Sequence, residues 1–564
     1  MVGDWKLNQA TVVAQNEREK QLLSGINLTF RSGAITLLVG HNGSGKSTLL
    51  ETIAGLRRLH SGSIEQGNES LWTSEGRKPR LNKTIVMNTG IALQQSESQW
   101  FASTVREEFD YSLKPYGITS EEREKRIISA MEQAGLPLEL LERDPWTLSG
   151  GQQRRLAIAC LLACEPQWLL LDEPTAGLDA DGIRRLCAML DAHRAAGRGA
   201  VVATHDLDAL LPLADEVAVI DGGSVREAAP AASWAAAHAH DAAAPQAQRA
   251  LAQLRAAGFA PPAEPSGAPW PAPRELAALL AAQRAATPVQ AAAAQTAAAC
   301  TAATEPPPIS AAPITTTTLA QPNRLASRFD PRALIAAYLL LATTILLQHS
   351  WAGLAVAAAL SAAALIPLWE QIRPWLKAIR AYIIMIAIIA IIAGLHFNPV
   401  SFDWAPAMQN LQRFSGLLLV MMLGMPLMAL VTPLRVQRSL EQTFGWLNRF
   451  KVPVTQVALT VTLIFRFIPL LADEWERYVK IAHARGKATT ASRSLPFRML
   501  LPAMVPYIRS LLRMAEQMAD ALEARGIGHP AAKPTQGLRL RFSREDMLIV
   551  IFAATAAAIL IFIR

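Results

Sequence analysis

Cysteine is scarce: four in 564 residues, Cys160, Cys164, Cys187 and Cys300, with no CxxC pair and no histidine grouping beside them. That spacing excludes a zinc site and a disulfide framework, and a reducing cytosol is expected. Cys160 and Cys164 stand four apart in an apolar helical stretch and read as small buried hydrophobes. Charge is low as well, 18% of residues against the usual ~25%, while hydrophobic residues reach 51%. Extended disorder is thereby excluded, and a chain that is partly membrane is expected, in keeping with a mean hydropathy of +0.20. The N-terminus, MVGDWKLNQATVV, has no basic segment followed by an apolar one, so it does not read as a signal peptide, and the chain is expected to start in the cytosol.

The length is enough for three or four domains, and the charge is divided unevenly between them. Residues 1–325 hold 29 basic and 34 acidic side chains, and residues 326–564 hold 25 and 12. Residues 1–225 alternate short β-rich runs (34–40, 168–173, 199–204, 216–220) with helical stretches, the rhythm of a parallel α/β sheet. From 226 to 288 alanine dominates, with helix-like pieces around Arg249–Gly258 and Arg274–Ala286, and a small helical appendix is expected. Residues 289–325 are Ala/Pro/Thr-rich without apolar periodicity and read as a linker.

Residues 326–564 form the membrane half. Apolar runs at 333–348, 352–368, 381–395, 416–432 and 547–563 predict about five crossings. Each is a little shorter than the ~20 residues that span a 30 Å core, so flanking residues or local thinning must help. With the chain starting inside, Arg373, Lys377 and Arg380 and the long basic segment at about 435–545 fall in the cytosol, as the positive-inside rule requires. The run 457–472 carries Arg466 near its middle and Pro469 after it. An arginine at a bilayer centre costs ~2.5–3.5 kcal/mol, so this run is expected at the interface or against other helices.

The motif GHNGSGKST, Gly40 to Thr48, follows a predicted strand and precedes a helix. In GxxxxGK[ST] the backbone N–H groups of the glycine-rich loop wrap phosphates, Lys46 neutralises the β/γ oxygens and the Ser47 hydroxyl holds Mg²⁺, so Gly40, Asn42, Gly43, Ser44, Gly45, Lys46, Ser47 and Thr48 are the expected phosphate-binding residues. WLLLDEP ends an apolar strand with two acids, Asp172 to position the metal and Glu173 to orient or deprotonate the attacking water. LSGGQQRR places Ser149, Gly150, Gly151 and Gln152 at a helix start, a donor-rich end suited to an anion. Each of the last two alone is explained by an ordinary strand end or a glycine turn.

Together, in this order and spacing, they resemble the ATP-binding-cassette ATPases. The resemblance implies that Gln94 is the Q-loop glutamine, sharing the metal with Ser47 and Asp172, that Asp179 belongs to the D-loop and that His205 is the switch histidine. It implies ATP and Mg²⁺ as cofactors, Glu173 and His205 as the catalytic pair, and one ATP sandwiched between the phosphate loop of one subunit and the LSGGQ of another. A second ATPase, or a second copy, is therefore required. The family's adenine-stacking aromatic has no counterpart in VVAQNEREKQ, and Trp5 lies too far upstream to be assigned that part.

The stretch QQSESQWFASTVREEF (94–109) resembles the ATPases of energy-coupling factor transporters, in which an F-A-x-T-V run opens a helix facing the membrane partner. RLASRFDPRALI (324–335), RFIP (466–469), AHARGK (482–487) and LEARGI (522–527) resemble the T component of the same transporters. Each Ala-Arg-Gly triplet ends a helical stretch, with Gly486 and Gly526 placed for a left-handed C′ residue, and an arginine there also suits the helix dipole. The resemblance implies that Arg485 and Arg525 are coupling residues docking into two ATPases.

The expected architecture is multidomain: an α/β P-loop cassette ATPase at 1–225, the appendix, the linker, and an all-α membrane domain at 326–564 with cytosolic coupling helices. The expected function is the ATP-hydrolysing energy-coupling module of an importer of a vitamin or transition-metal ion. The chain is expected in a prokaryotic plasma membrane, multi-pass, with the ATPase on the cytoplasmic side. It would act with a second ATPase, a separate substrate-binding S component and the lipid bilayer. Two alternatives stay open: an exporter-type half-transporter acting as a homodimer, and a membrane-tethered ATPase without transport. Nucleic-acid binding is not expected, since the basic segment lies between spans and has no interleaved aromatic stripe.

Overall fold

A computed structural model describes residues 3–14, 21–73, 79–94, 100–239, 241, 244–256, 277–278, 281, 329–397, 400–450, 454–489, 497–526, 540 and 542–563. These fall into two compact units, Met1–Ala299 with Leu471–Gly526, and Cys300–Leu470 with Ile527–Arg564. The expected linker 289–325 and most of the second appendix helix lie outside the described residues. The first appendix helix is present as Gln246–Ala256.

The first unit is built on two sheets. Strands β1 (Trp5–Val13), β2 (Gln21–Phe30) and β4 (Ser61–Gln66) form an antiparallel sheet with β1 in the middle of the three. The other sheet contains β3 (Ile35–Val39), β5 (Thr89–Ala92), β6 (Trp168–Asp172), β7 (Gly199–Ala203), β8 (Glu216–Asp221) and β9 (Ser224–Pro230). Its order is β9-β8-β3-β7-β6-β5, parallel throughout except for β9, which returns antiparallel on β8. All four strands expected from the β-rich runs are in it. β6 is buried at all five positions because both faces are covered. Trp168 and Leu170 pack into one apolar cluster, Leu169 and Leu171 into the other, the two-residue alternation of a strand.

Helices α1 (Lys46–Ile53), α2 (Val105–Leu113), α3 (Ser120–Gln133), α4 (Gly150–Ala163) and α5 (Ala180–Ala195) surround this core. Thr104 caps α2 by accepting from the Glu107 N–H at 3.2 Å, so the F-A-x-T-V run does open a helix.

The second unit is mostly helical, with α6 (Pro331–Leu346), α7 (Trp351–Leu365), α8 (Leu376–Gly394), α9 (Trp404–Leu430) and α10 (Pro433–Phe444). It departs from the all-α expectation at a short antiparallel strand pair, Leu395–Phe397 with Val400–Phe402, which turns the chain from α8 into α9. Helix α11 follows (Val454–Arg485), its end from Leu471 belonging to the first unit, as does α12 (Phe497–Ala524). Helix α13 (Arg544–Phe562) returns to the second unit. Among the described residues four stretches are long and apolar enough to cross a membrane: Trp351–Leu368, Leu376–Gly394, Gln456–Arg485 and Arg544–Phe562. Three of them coincide with expected crossings. The run 333–348 is the shorter apolar helix α6, and 416–432 lies mostly in the 27-residue α9.

The run 457–472 differs from expectation. It belongs to a continuous 32-residue helix and satisfies length and apolarity despite Arg466, because Val, Leu, Ile and Phe around that single charge outweigh it. Ile383, Ile384, Ile388, Ile391 and Ile392 are all exposed on α8, a face suited to lipid tails.

Candidate functional site

The phosphate loop is positioned by β3, whose last residue, Val39, leads into Gly40. A Cβ at Gly40 would stand 2.1 Å from the Ile220 carbonyl oxygen, so only glycine fits against β8. Gly45, at φ 112, turns the chain into α1. The Gly223 N–H donates to the Ser44 carbonyl at 2.9 Å and fastens the loop to the β8–β9 turn. Lys46 Nζ donates to the carbonyls of Gly40 (2.6 Å) and His41 (3.1 Å), which aims its charge along the loop. Burial holds the Lys46 ammonium below its usual range, opposed by Glu173 and Asp172. Ser44 Oγ is buried without a hydrogen-bond partner, an orphaned donor of the kind a phosphate oxygen satisfies.

Asp172 ends β6 and Glu173 follows it at φ 51, outside the usual region for a non-glycine residue. Burial raises both carboxyls. The neighbouring Ser47 hydroxyl pulls Asp172 the other way, so hydroxyl and carboxylate lie side by side, a hard oxygen set that fits Mg²⁺. His205 Nδ1 stands 3.0 Å from Glu173 Oε1. The two expected catalytic residues are thus brought together, and so are two of the three expected metal ligands. Gln94 is exposed just past β5, and among the described residues it makes no hydrogen bond to Ser47 or Asp172.

The LSGGQ residues form a separate, outward face. Ser149 caps α4, accepting from the Gln152 N–H at 3.3 Å while Gln152 Oε1 accepts from the Ser149 N–H at 3.0 Å. Nothing stands within 4 Å of a Cβ built at Gly150 or Gly151. Asp179 caps α5 through the Gly182 N–H at 2.8 Å. Trp5 is fully buried, edge-on to Trp168 at 6.4 Å, which rules it out as an adenine platform. Residues 15–20, part of the segment where the family carries that aromatic, lie outside the described residues.

The end of α11 is buried against the cassette within the same unit. Arg485 Nη1 donates to Glu108 Oε2 at 2.6 Å, with side-chain exposures of 8% and 0%. Glu108 also accepts from the backbone N–H groups of Phe101 and Ala102, so each carboxylate oxygen has a donor. Burial pushes the Glu108 carboxyl up while Arg485 and the two N–H groups pull it down. The guanidinium lies over the rings of Trp100 (5.4 Å) and Phe101 (5.9 Å).

Sequence reasoning found Arg485 but missed three of its companions. Glu108 is one; it shares the buried face of α2 with Val105, Phe109, Ser112 and Leu113, so an acid on an apolar stripe was the available signal. Lys480 is another, with Nζ 3.3 Å from both carboxylate oxygens of Glu51, one helical turn beyond Ser47 on α1. Lys487 is the third, donating to the Thr89 carbonyl at 2.5 Å, at the start of the strand that leads to Gln94. Burial lowers the Lys487 pKa to about 8.

Lys487 also corrects the capping expectation. It takes the left-handed conformation (φ 48) in place of Gly486, held by its buried amine and by the Leu81 N–H donating to the Thr489 carbonyl at 2.9 Å. Gly526 does take it, at φ 75. Arg525 is exposed, and among the described residues its side chain makes no hydrogen bond or ion pair. Helix α12 lies along α11 through Ser510 to Glu474 (3.1 Å), and reaches the cassette through Arg509 to Asp144 (3.4 Å) and Arg513 over Trp146 (5.3 Å).

Comparison with known proteins gives two family matches, "ABC transporter" over residues 23–176 and "Cobalt transport protein" over residues 322–534. The energy-coupling factor transporter ATP-binding protein EcfA2 of Latilactobacillus sakei subsp. sakei (strain 23K) is 40% identical over 204 residues, 36% of this chain and 69% of that one. The protein of the same name from Streptococcus sanguinis (strain SK36) is 39% identical over 207 residues, 37% and 74%. Among solved structures, cbiO1 from Clostridium perfringens, described as part of the ABC transporter complex cbiONQ, is 29% identical. That match covers 41% of this chain and 90% of its own, with a TM-score of 0.36.

Proposed function

We propose that this chain, which belongs to the energy-coupling factor transporter family as a cassette ATPase fused to a cobalt-transport-type membrane component, powers an importer whose substrate is held by a separate S component. It is an ATP-binding, ATP-hydrolysing transport subunit with a membrane-embedded half. In the proposed cycle the loop N–H groups and Lys46 hold the phosphates of ATP, and Ser44 Oγ supplies a further donor. Ser47 and Asp172 would hold Mg²⁺, with Gln94 joining them; the ion, when bound, neutralises charge on the β and γ phosphates. Glu173 takes a proton from the attacking water, its raised pKa making it a stronger base, and His205 orients it through the 3.0 Å contact.

Ser149, Gly150, Gly151, Gln152 and Asp179 face outward from their own loop and serve the nucleotide of a second ATPase. Closure of that pair moves the docked end of α11, and the membrane component reorients the S component. The S component would bring a vitamin or a transition-metal ion, and the description of the matched family, a cobalt transport protein, supports the second class. The exposed apolar residues Val505, Ile508 and Leu512 of α12 offer it a surface. The ATPase lies on the cytoplasmic side of a multi-pass plasma-membrane protein.

The observation that carries this proposal is the Arg485–Glu108 pair. A fully buried acid on a cassette helix is paired with an arginine that ends a helix continuous with the membrane component. The test is uptake of labelled cobalt, nickel and B vitamins by cells that depend on this complex, with Arg485→Glu and Arg525→Glu combined. Uptake of one class in wild type and its loss in the variant is expected. Unchanged uptake in the variant overturns the coupling role.

A further inference from the structure

The two Ala-Arg-Gly helices are forty residues apart and align without a gap, so the docked end of α11 is a template for the free end of α12. Arg485 matches Arg525, Gly486 matches Gly526, Lys480 matches Asp520, His483 matches Glu523 and Lys487 matches Ile527. Residues 476–487 carry four cations and one anion, whereas 516–527 carry one cation and three anions. The arginine is kept and the charge around it is reversed.

In the docked end that charge has a partner. Lys480 meets Glu51 of the cassette, and Tyr478, Val479, Ile481, Ala482, His483, Arg485 and Lys487 are all buried. At the other end Asp520, Glu523 and Arg525 are exposed, and among the described residues their side chains make no hydrogen bond or ion pair. A second copy of this chain fails as the occupant on two counts. The groove that would take Arg525, formed by Glu108, Trp100 and Phe101, is filled in every copy by its own Arg485. Its Glu51 would also face Asp520, carboxylate against carboxylate.

Resting on the energy-coupling proposal, in which the free end of α12 docks the second cassette ATPase, we infer that this ATPase is not a copy of this chain but a separate polypeptide that carries Lys or Arg where this chain has Glu51. That position is the fifth residue after the phosphate-loop lysine, so it can be read from the partner's sequence once the partner is in hand. Arg525 takes the partner's equivalent of Glu108, and Asp520 pairs with its basic residue. The reversed charges keep each helix with its own cassette, a repulsive element that specifies the pairing.

The experiment co-expresses two differently tagged full-length copies in the native host and purifies the complex in mild detergent through one tag. The other tag is expected to be absent, and a different cassette, identified by mass spectrometry, is expected with Lys or Arg at that position. Asp520→Lys, an exposed substitution, is expected to lower recovery of this second ATPase by at least about tenfold, the equivalent of ~1.4 kcal/mol. Recovery should return when the partner's basic residue is changed to Glu. Stoichiometric recovery of the second tag, an acid at the partner position, or undiminished recovery in Asp520→Lys each overturns the inference while leaving the energy-coupling proposal standing. A complex with neither a second cassette nor an S component overturns both.

Discussion

Replacing Arg485 with alanine leaves Glu108, which is 0% exposed, with only the Phe101 and Ala102 N–H groups as donors. Removing one member of a buried ion pair costs about 3–5 kcal/mol, mainly because the remaining charge is stranded away from water. The guanidinium's stacking on Trp100 and Phe101 is lost as well. Lys480 to Glu51, Lys487 to Thr89 and the Leu81–Thr489 backbone bond remain, so the segment is expected to open more often without losing its place. At 1.36 kcal/mol per decade, that cost raises the opening equilibrium by about two to four decades. Amide hydrogen exchange over 478–489 in the full chain reads it directly. Arg485→Met combined with Glu108→Leu should cost less than Arg485→Ala alone, since no charge is then stranded. Exchange within threefold of wild type in Arg485→Ala would refute a packed, charge-bearing joint.

Three further outcomes follow from other parts of the first unit. Glu173→Gln should cut ATP turnover at least a hundredfold, from the ~10²–10⁴ that a positioned base contributes, while nucleotide binding measured by a fluorescent ATP analogue persists. Lys487, with a pKa near 8 when docked and 10.5 when free, binds fewer protons docked than undocked between those values. Stability of the docked state therefore rises with pH from about 8 to 10.5, by roughly 3 kcal/mol in all, and is flat in this respect below 8. Thermal unfolding across that range should show the slope in wild type and its loss in Lys487→Met. Gly199→Ala would press a Cβ to 2.5 Å from the Trp168 ring, where β7 meets β6, and should cost about 1–3 kcal/mol, seen as faster thermal inactivation of the ATPase.

The parts of the site legible in the sequence are those whose chemistry is written within a few consecutive residues. Gly40 to Thr48 and the Asp172–Glu173 pair are local, and the strands that deliver them alternate between two apolar clusters as their composition suggests. Arg485 was legible because a triplet repeats. Its acceptor was harder, since Glu107 and Glu108 are chemically alike and only helical phase turns Glu108 inward, in step with Val105 and Ser112. Lys480 and Lys487 look like ordinary solvated cations in a basic stretch, and only tertiary packing places them on Glu51 and Thr89. The apolar run ending at 472 hid a longer element: nothing between Ala472 and Arg485 breaks a helix, so α11 continues through Pro469 into the cassette's groove.

The most direct measurement is the intact mass and chain count of the native complex in mild detergent. One copy of this 61.0 kDa chain with one further cassette ATPase and one small multi-span protein is the predicted result. Two copies of this chain and nothing else would contradict it, and would return the molecule to an exporter-type homodimer.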